Sequence, residues 1–128
     1  MRNEAEEFFE EWPAKMQGVN REAPEISRAF RALFQSTMNE GSLGLREKEL
    51  IALGIALALR CVPCINAHTE KAITAGATRE QIIEAAGVAV VMQGGPAYSY
   101  LPHVLEAMRA IEAQSSVVTD IAVGSMAR

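Results

Sequence analysis

Cys61 and Cys64 are the only two cysteines of the 128-residue chain, set in Cys61-Val62-Pro63-Cys64, and His68 follows four residues after the second. Two thiols at this spacing can close a small disulfide ring, and CxxC pairs often carry a thiol of lowered pKa. The same spacing serves zinc. Which of the two chemistries applies depends on what surrounds the pair.

Pro63 suits the first position of a helix, which places Cys61 just outside that helix and Cys64 in its first turn. Unpaired backbone N–H groups and the helix dipole there favour a thiolate. His68 lies one turn beyond Cys64 on the same helical face, placed to accept its proton or to pair with its thiolate. A Cys and a His at this spacing can also be simple core packing. The second Cys and the helix start argue for chemistry.

Glu49 is the next candidate, twelve residues before Cys61. In Arg46-Glu47-Lys48-Glu49, periodicity alone reads it as a solvated residue. Twelve helical residues rise roughly 18 Å, and the seven from Cys61 to His68 recover only about 10 Å. A helix that turns back along its predecessor therefore brings Glu49 to His68 sooner than to Cys61. A carboxylate there would orient the imidazole, as the third member of a triad does. His103, in Leu101-Pro102-His103, is the only other histidine. It would stand behind the site, or gate substrate, if its helix packs beside the one bearing His68. Tyr98 and Tyr100 read as packing or interface residues.

The elements that must position these residues are all helical, with no convincing strand, repeat or low-complexity linker. Asn3 to about Gln17 forms an amphipathic helix with Phe8, Phe9, Trp12 and Met16 on one stripe, and Pro13 suggests a break or kink. Pro24 opens a second helix that Gly41 stops, with Ile26, Ala29, Phe30, Leu33, Phe34 and Thr37 at helical spacing. The third helix runs from about Leu45 to Arg60, and its stretch Leu50 to Leu59 is apolar all round, which demands enclosure by other helices. The fourth ends before Gly76. Thr78-Arg79-Glu80-Gln81 has capping-box form and opens a fifth helix to Gln93, with Ile82, Ile83, Ala86, Val90 and Val91 facing inward. Gly94-Gly95-Pro96 separates it from a sixth, about Ala97 to Gln114, which Pro102 either kinks or begins. Residues 115–128 show no clear periodicity, a tail that frays or docks on a neighbouring subunit. The expectation is an all-α single domain over 1–128, compact and of about six helices: N-terminal helices in 1–44, a core with the CxxC site in 45–114, and the tail.

Length and composition agree with one domain able to bury its own core. The chain is 49% hydrophobic but only 5% aromatic, so small aliphatic side chains must hold the helices close. A net charge of −4 without any Lys/Arg cluster argues against a nucleic-acid partner. The N-terminus is acidic and amphipathic, unlike a signal peptide. The Leu50–Leu59 run is half of the roughly 20 residues a membrane span needs. A cytoplasmic location without membrane contact is expected. Thiols are kept reduced there, and a Cys pair is more often catalytic or metal-binding than structural.

Glu49, eleven intervening residues, Cys61, two more, Cys64, three more and His68 together resemble the pattern of the AhpD-like proteins of the carboxymuconolactone decarboxylase superfamily. The likeness runs from about Leu45 to Met108 and includes the apolar helix and the Gly94-Gly95-Pro96 turn. It implies an all-helical domain assembling as homo-trimers or homo-hexamers, and a thiol-dependent hydroperoxidase of peroxiredoxin type needing neither cofactor nor metal. By the same resemblance Cys64 attacks, Cys61 resolves, and Glu49 with His68 relays protons. Hydroperoxide oxidises Cys64 to a sulfenic acid, Cys61 displaces water, and an external dithiol reduces the disulfide. One position departs from the pattern. Pro63 stands where the best-known members carry a second His, which removes a proton carrier and favours dithiol–disulfide exchange.

Three other readings compete. Zinc could be held by Cys61, Cys64, His68 and either His103 or Glu49. The other branch of the superfamily acts on small lactones or keto-acids without needing a Cys pair. A non-enzymatic helical oligomer would leave the thiols incidental.

Overall fold

The computed structural model describes the backbone of residues 1–126 and the side chains of residues 1–117. Among these residues every regular element is a helix: α1 (Glu4–Glu22), α2 (Pro24–Thr37), α3 (Leu45–Ala58), α4 (Val62–Thr74), α5 (Arg79–Gln93), the single turn α6 (Gly95–Tyr98) and α7 (Leu101–Met126). Six helices of ordinary length and one turn make the all-α domain that the sequence implies.

Local chemistry explains most boundaries. Asn3 caps α1 in a capping box with Glu6, and Thr78 does the same for α5 with Gln81. Pro24 begins α2, and Gly94, at φ 86°, ends α5 in a backbone region that favours glycine. Several boundaries differ from expectation: α1 runs on to Glu22 rather than about Gln17, and α2 ends at Thr37, short of Gly41. Pro13 lies inside α1 without breaking it. Phe8 packs on Phe9 and Trp12 just before it, and α1 is held by α7, α2 and α4. Tertiary packing therefore carries the helix past the missing N–H. Of the two roles expected for Pro102, the helix start holds: α7 begins at Leu101, after the α6 turn, rather than at Ala97, and it runs past Gln114 to Met126. The supposed tail is thus helical through Met126, while Ala127 and Arg128 lie outside the described residues.

The core sits where α3, α4, α5 and α7 meet, around Leu53, Leu57, Ile65, Ile82, Val104 and Met108, with Ala56, Ala72 and Ala86 between them. Ala5 of α1 docks separately against Ala107 and Ala110 of α7. Alanine at so many contacts lets helix axes approach closely, as the composition suggests. Gly54 does the same, since a Cβ built there would lie 3.8 Å from the Ala85 carbonyl oxygen of α5.

Not every predicted inward face is covered. On the wholly apolar α3, Ile51, Ile55 and Leu59 remain 51%, 55% and 71% exposed. On α5, Ile83 and Val91 face outward while Ala89 is buried. With Gly54, Ala58, Val88 and Met92, the exposed side of α3 and α5 forms an apolar groove of about 400 Å³. On α2, Ile26, Phe30 and Leu33 are exposed and no residue is buried. Among the described residues, none covers this face of the apolar third helix.

Candidate active site

The site is built at the turn between α3 and α4. The last turn of α3 closes with Arg60 N–H on the Leu57 carbonyl (3.1 Å) and Cys61 N–H on the Ala56 carbonyl (3.1 Å). This nested pair of bonds is the Schellman helix ending. It puts Arg60 in the left-handed region at φ 56° and reverses the chain, so that α4 runs back along α3. Cys61 is the N-cap of α4, in extended conformation, and its Sγ accepts the Cys64 N–H at 3.4 Å. Val62 is therefore the first helical residue, and Pro63 the second rather than the first. Cys61 still stands just outside the helix and Cys64 in its first turn.

Cys61 and Cys64 form a disulfide, their Cα atoms 5.2 Å apart and both residues half-buried. One turn further along α4, His68 Nδ1 lies 2.7 Å from Glu49 Oε2. Glu49 is 2% exposed, so its carboxylate is enclosed with the imidazole as partner. The solvated reading of Glu49 is thereby overturned. Its neighbour Glu47 takes that part instead, paired with Arg46, whose guanidinium holds the Glu47 carboxyl below its ordinary range. Glu49 falls on the opposite side of the helix, facing α4. An ionised carboxylate only accepts hydrogen bonds, so Nδ1 donates and Nε2 is left as the free basic nitrogen.

Two further residues complete the surroundings of His68. Phe34 of α2 stacks on the imidazole with ring centroids 6.2 Å apart and planes 25° apart. Lys71 Nζ sits 4.1 Å from the Phe34 centroid. His68 and Lys71, three apart on α4, thus grip one aromatic ring brought over from α2. Sequence periodicity placed Phe34 on a helical stripe but gave no sign that this ring alone would turn inward.

His103 is held elsewhere. Its ring packs on Tyr100 at 5.1 Å, and its ligand atoms lie within 4.8 Å of those of Glu4 and Glu106, at the junction of α1 and α7. None of its described contacts involves Glu49, His68 or the cysteines. In the disulfide form the two sulfurs offer no thiolates to a zinc ion.

An all-helical domain with a CxxC disulfide at a helix start, backed by an imidazole paired to a buried carboxylate, is a defined structural class. The chain belongs to the carboxymuconolactone decarboxylase family, whose model matches residues 24–111. A protein of the cox locus of Paracoccus denitrificans is 37% identical over 94 residues, 73% of this chain and 85% of that relative. An uncharacterised protein of Cupriavidus necator is 34% identical over 70% of this chain and 80% of its own length. Among solved structures, a family member from Legionella pneumophila superposes with a TM-score of 0.75 at 33% identity, covering 85% of this chain and 95% of that one. A family protein from Thermotoga maritima, for which a part in the antioxidative response has been raised, gives 0.70 at 27% identity, covering 89% of this chain and 94% of that one.

Proposed function

We propose that the protein is a thiol-dependent oxidoreductase of AhpD type, cycling between a Cys61/Cys64 dithiol and the Cys61–Cys64 disulfide. The observation that carries this reading is the 2.7 Å Glu49–His68 contact one helical turn from the disulfide. A structural disulfide has no use for an imidazole oriented by a buried carboxylate beside it.

In the reduced protein Cys64 has three properties of an attacking thiol. Its sulfur is in the first turn of α4, where the dipole and free N–H groups stabilise a thiolate. His68 is one turn away to take its proton, and Glu49 fixes the tautomer of His68. The Cys64 thiolate attacks the outer oxygen of a hydroperoxide and becomes a sulfenic acid, while the leaving alkoxide takes a proton from His68 and departs as an alcohol. The Cys61 thiol then attacks the sulfenic sulfur, forming the disulfide and releasing water. An external dithiol completes the cycle by exchange, leaving as its own disulfide. A disulfide substrate in place of hydroperoxide is accepted by the same thiolate, and Pro63 suits that exchange. The lactone-decarboxylating branch does not require the Cys pair that this chain places beside its relay.

The apolar groove on α3 and α5 supports assembly as a trimer or hexamer, burying Ile51, Ile55 and Val88 between copies. No helix among the described residues is long and apolar enough to cross a membrane. A reducing compartment such as the cytoplasm would supply the dithiol.

Trapping tests the assigned roles. After brief hydroperoxide treatment, Cys61→Ser should carry a sulfenic acid on Cys64 that a dimedone probe labels, visible by mass spectrometry. Cys64→Ser should show no such adduct. Labelling of Cys61 in Cys64→Ser at a rate equal to that of Cys64 would reverse or remove the assignment.

A further inference from the structure

Arg60 occupies a position that ordinarily belongs to glycine. It is the residue after the helix end in the α3 Schellman turn, with φ 56°. The same chain builds the same ending on α4, where Gly76 N–H reaches the Ile73 carbonyl and Ala77 N–H the Ala72 carbonyl. There the left-handed residue is Gly76, at φ 97°. At the α3 ending an arginine is held in that conformation instead, immediately before Cys61. Backbone strain of this kind is a pointer to function when a side chain is kept for its chemistry.

Among the described residues Arg2, Arg46 and Arg79 pair with Glu10, Glu47 and Glu112, whereas Arg60, like Arg21, Arg28, Arg31 and Arg109, makes no such pair. Arg60 is also exposed. A free permanent cation thus stands one residue from a half-buried disulfide, in a protein whose net charge is −4.

We infer that Arg60 is a specificity-determining residue, which favours anionic partners for the Cys61–Cys64 pair: disulfides, dithiols or hydroperoxides that carry carboxylates near the reacting atoms. The inference rests on the thiol-redox reading above. An exposed arginine next to Cys61 in the chain attracts such a partner through solvent and offers its carboxylate a bidentate seat. The acidic remainder of the surface would otherwise repel it.

Two synthetic disulfides separate charge from thiol reactivity. Dithiobis(nitrobenzoate) is a dianion and dithiodipyridine is neutral. Each is attacked by a protein thiolate, releases one aromatic thiol, and releases a second as the Cys61–Cys64 disulfide closes. The ratio of the two rates, dianion over neutral, cancels any change in thiolate reactivity. Arg60→Gly fits the left-handed turn and keeps the fold. A unit charge about 8 Å from a dianion in water makes about a fivefold difference in the rate ratio. Arg60→Gly should therefore lower the ratio about fivefold at low salt, and Arg60→Lys should preserve it. At about 1 M salt, where screening acts over about 3 Å, parent and variant should converge. An unchanged ratio in Arg60→Gly, with both probes still reacting, would overturn the role of Arg60 and leave the redox reading standing. A reduced parent protein that reacts with neither probe would overturn both.

Discussion

Glu49→Gln isolates the contribution of one buried charge. The residue is 2% exposed and its Oε2 lies 2.7 Å from His68 Nδ1. Gln matches it in volume and can still accept the Nδ1 hydrogen through its carbonyl oxygen. What disappears is charge assistance as the imidazole takes the thiol proton. A hydrogen bond to a charged group contributes about 1.5–3 kcal/mol against about 0.5–1.5 kcal/mol for a neutral one. The difference, about 1.4 kcal/mol, corresponds to about a tenfold fall in the rate of the proton-coupled step. If the amide presents its nitrogen instead, it donates to Nδ1, the tautomer reverses, and the loss deepens. Folding should not suffer, because the variant no longer buries a carboxylate. The assay is stopped-flow loss of reduced thiols against hydroperoxide, beside thermal unfolding followed by circular dichroism. A rate within twofold of the parent would refute the relay. So would a rate loss that merely follows an equal loss of stability.

Other consequences are as direct. Phe34→Ala removes the ring that stacks on His68 and that Lys71 covers; it should slow hydroperoxide reduction several-fold at neutral pH and shift the optimum of Cys64 alkylation, whereas Phe30→Ala, on the exposed side of α2, should do neither. Arg60→Gly relieves a left-handed arginine, which costs about 1–2 kcal/mol, against about 0.5–1 kcal/mol of extra unfolded-state freedom. Its melting temperature should rise by about 2–4 °C, and a fall would contradict the turn geometry. Ile55→Asp with Val88→Asp charges the exposed groove face of α3 and α5. Light scattering should show the parent as a multiple of 13.9 kDa and the double variant as a single chain with unchanged helicity. A parent that is itself monomeric would end the oligomer proposal.

Much of this protein is legible in its sequence because local rules act without opposition. Asn3, Pro24, Thr78 and Gly94 each do what their chemistry demands at a helix end, and α5 spans Arg79–Gln93 as its capping box implies. The Glu49–His68 meeting followed from helix rise alone, since a helix reversing at Cys61 must bring those residues together. Long-range packing hid the rest. Pro13 signals a break, yet contacts with α7, α2 and α4 carry α1 through it. Val91 and Ile55 have core-like chemistry, but nothing in a single chain reveals that their face has no partner within it. His103 looks like a site residue because histidines are scarce, whereas the register of α7 sets it beside Glu4 and Glu106. Arg60 gave no signal, since the usual mark of its turn is a glycine that this chain lacks.

The central claim is that the two cysteines cycle, and counting free thiols tests it most directly. The reduced protein should present two thiols per chain, none after one equivalent of hydroperoxide, and two again after a dithiol. Cys64→Ser should leave the peroxide unconsumed. Two thiols persisting in excess hydroperoxide, or Cys64→Ser consuming it at the parent rate, would contradict the account.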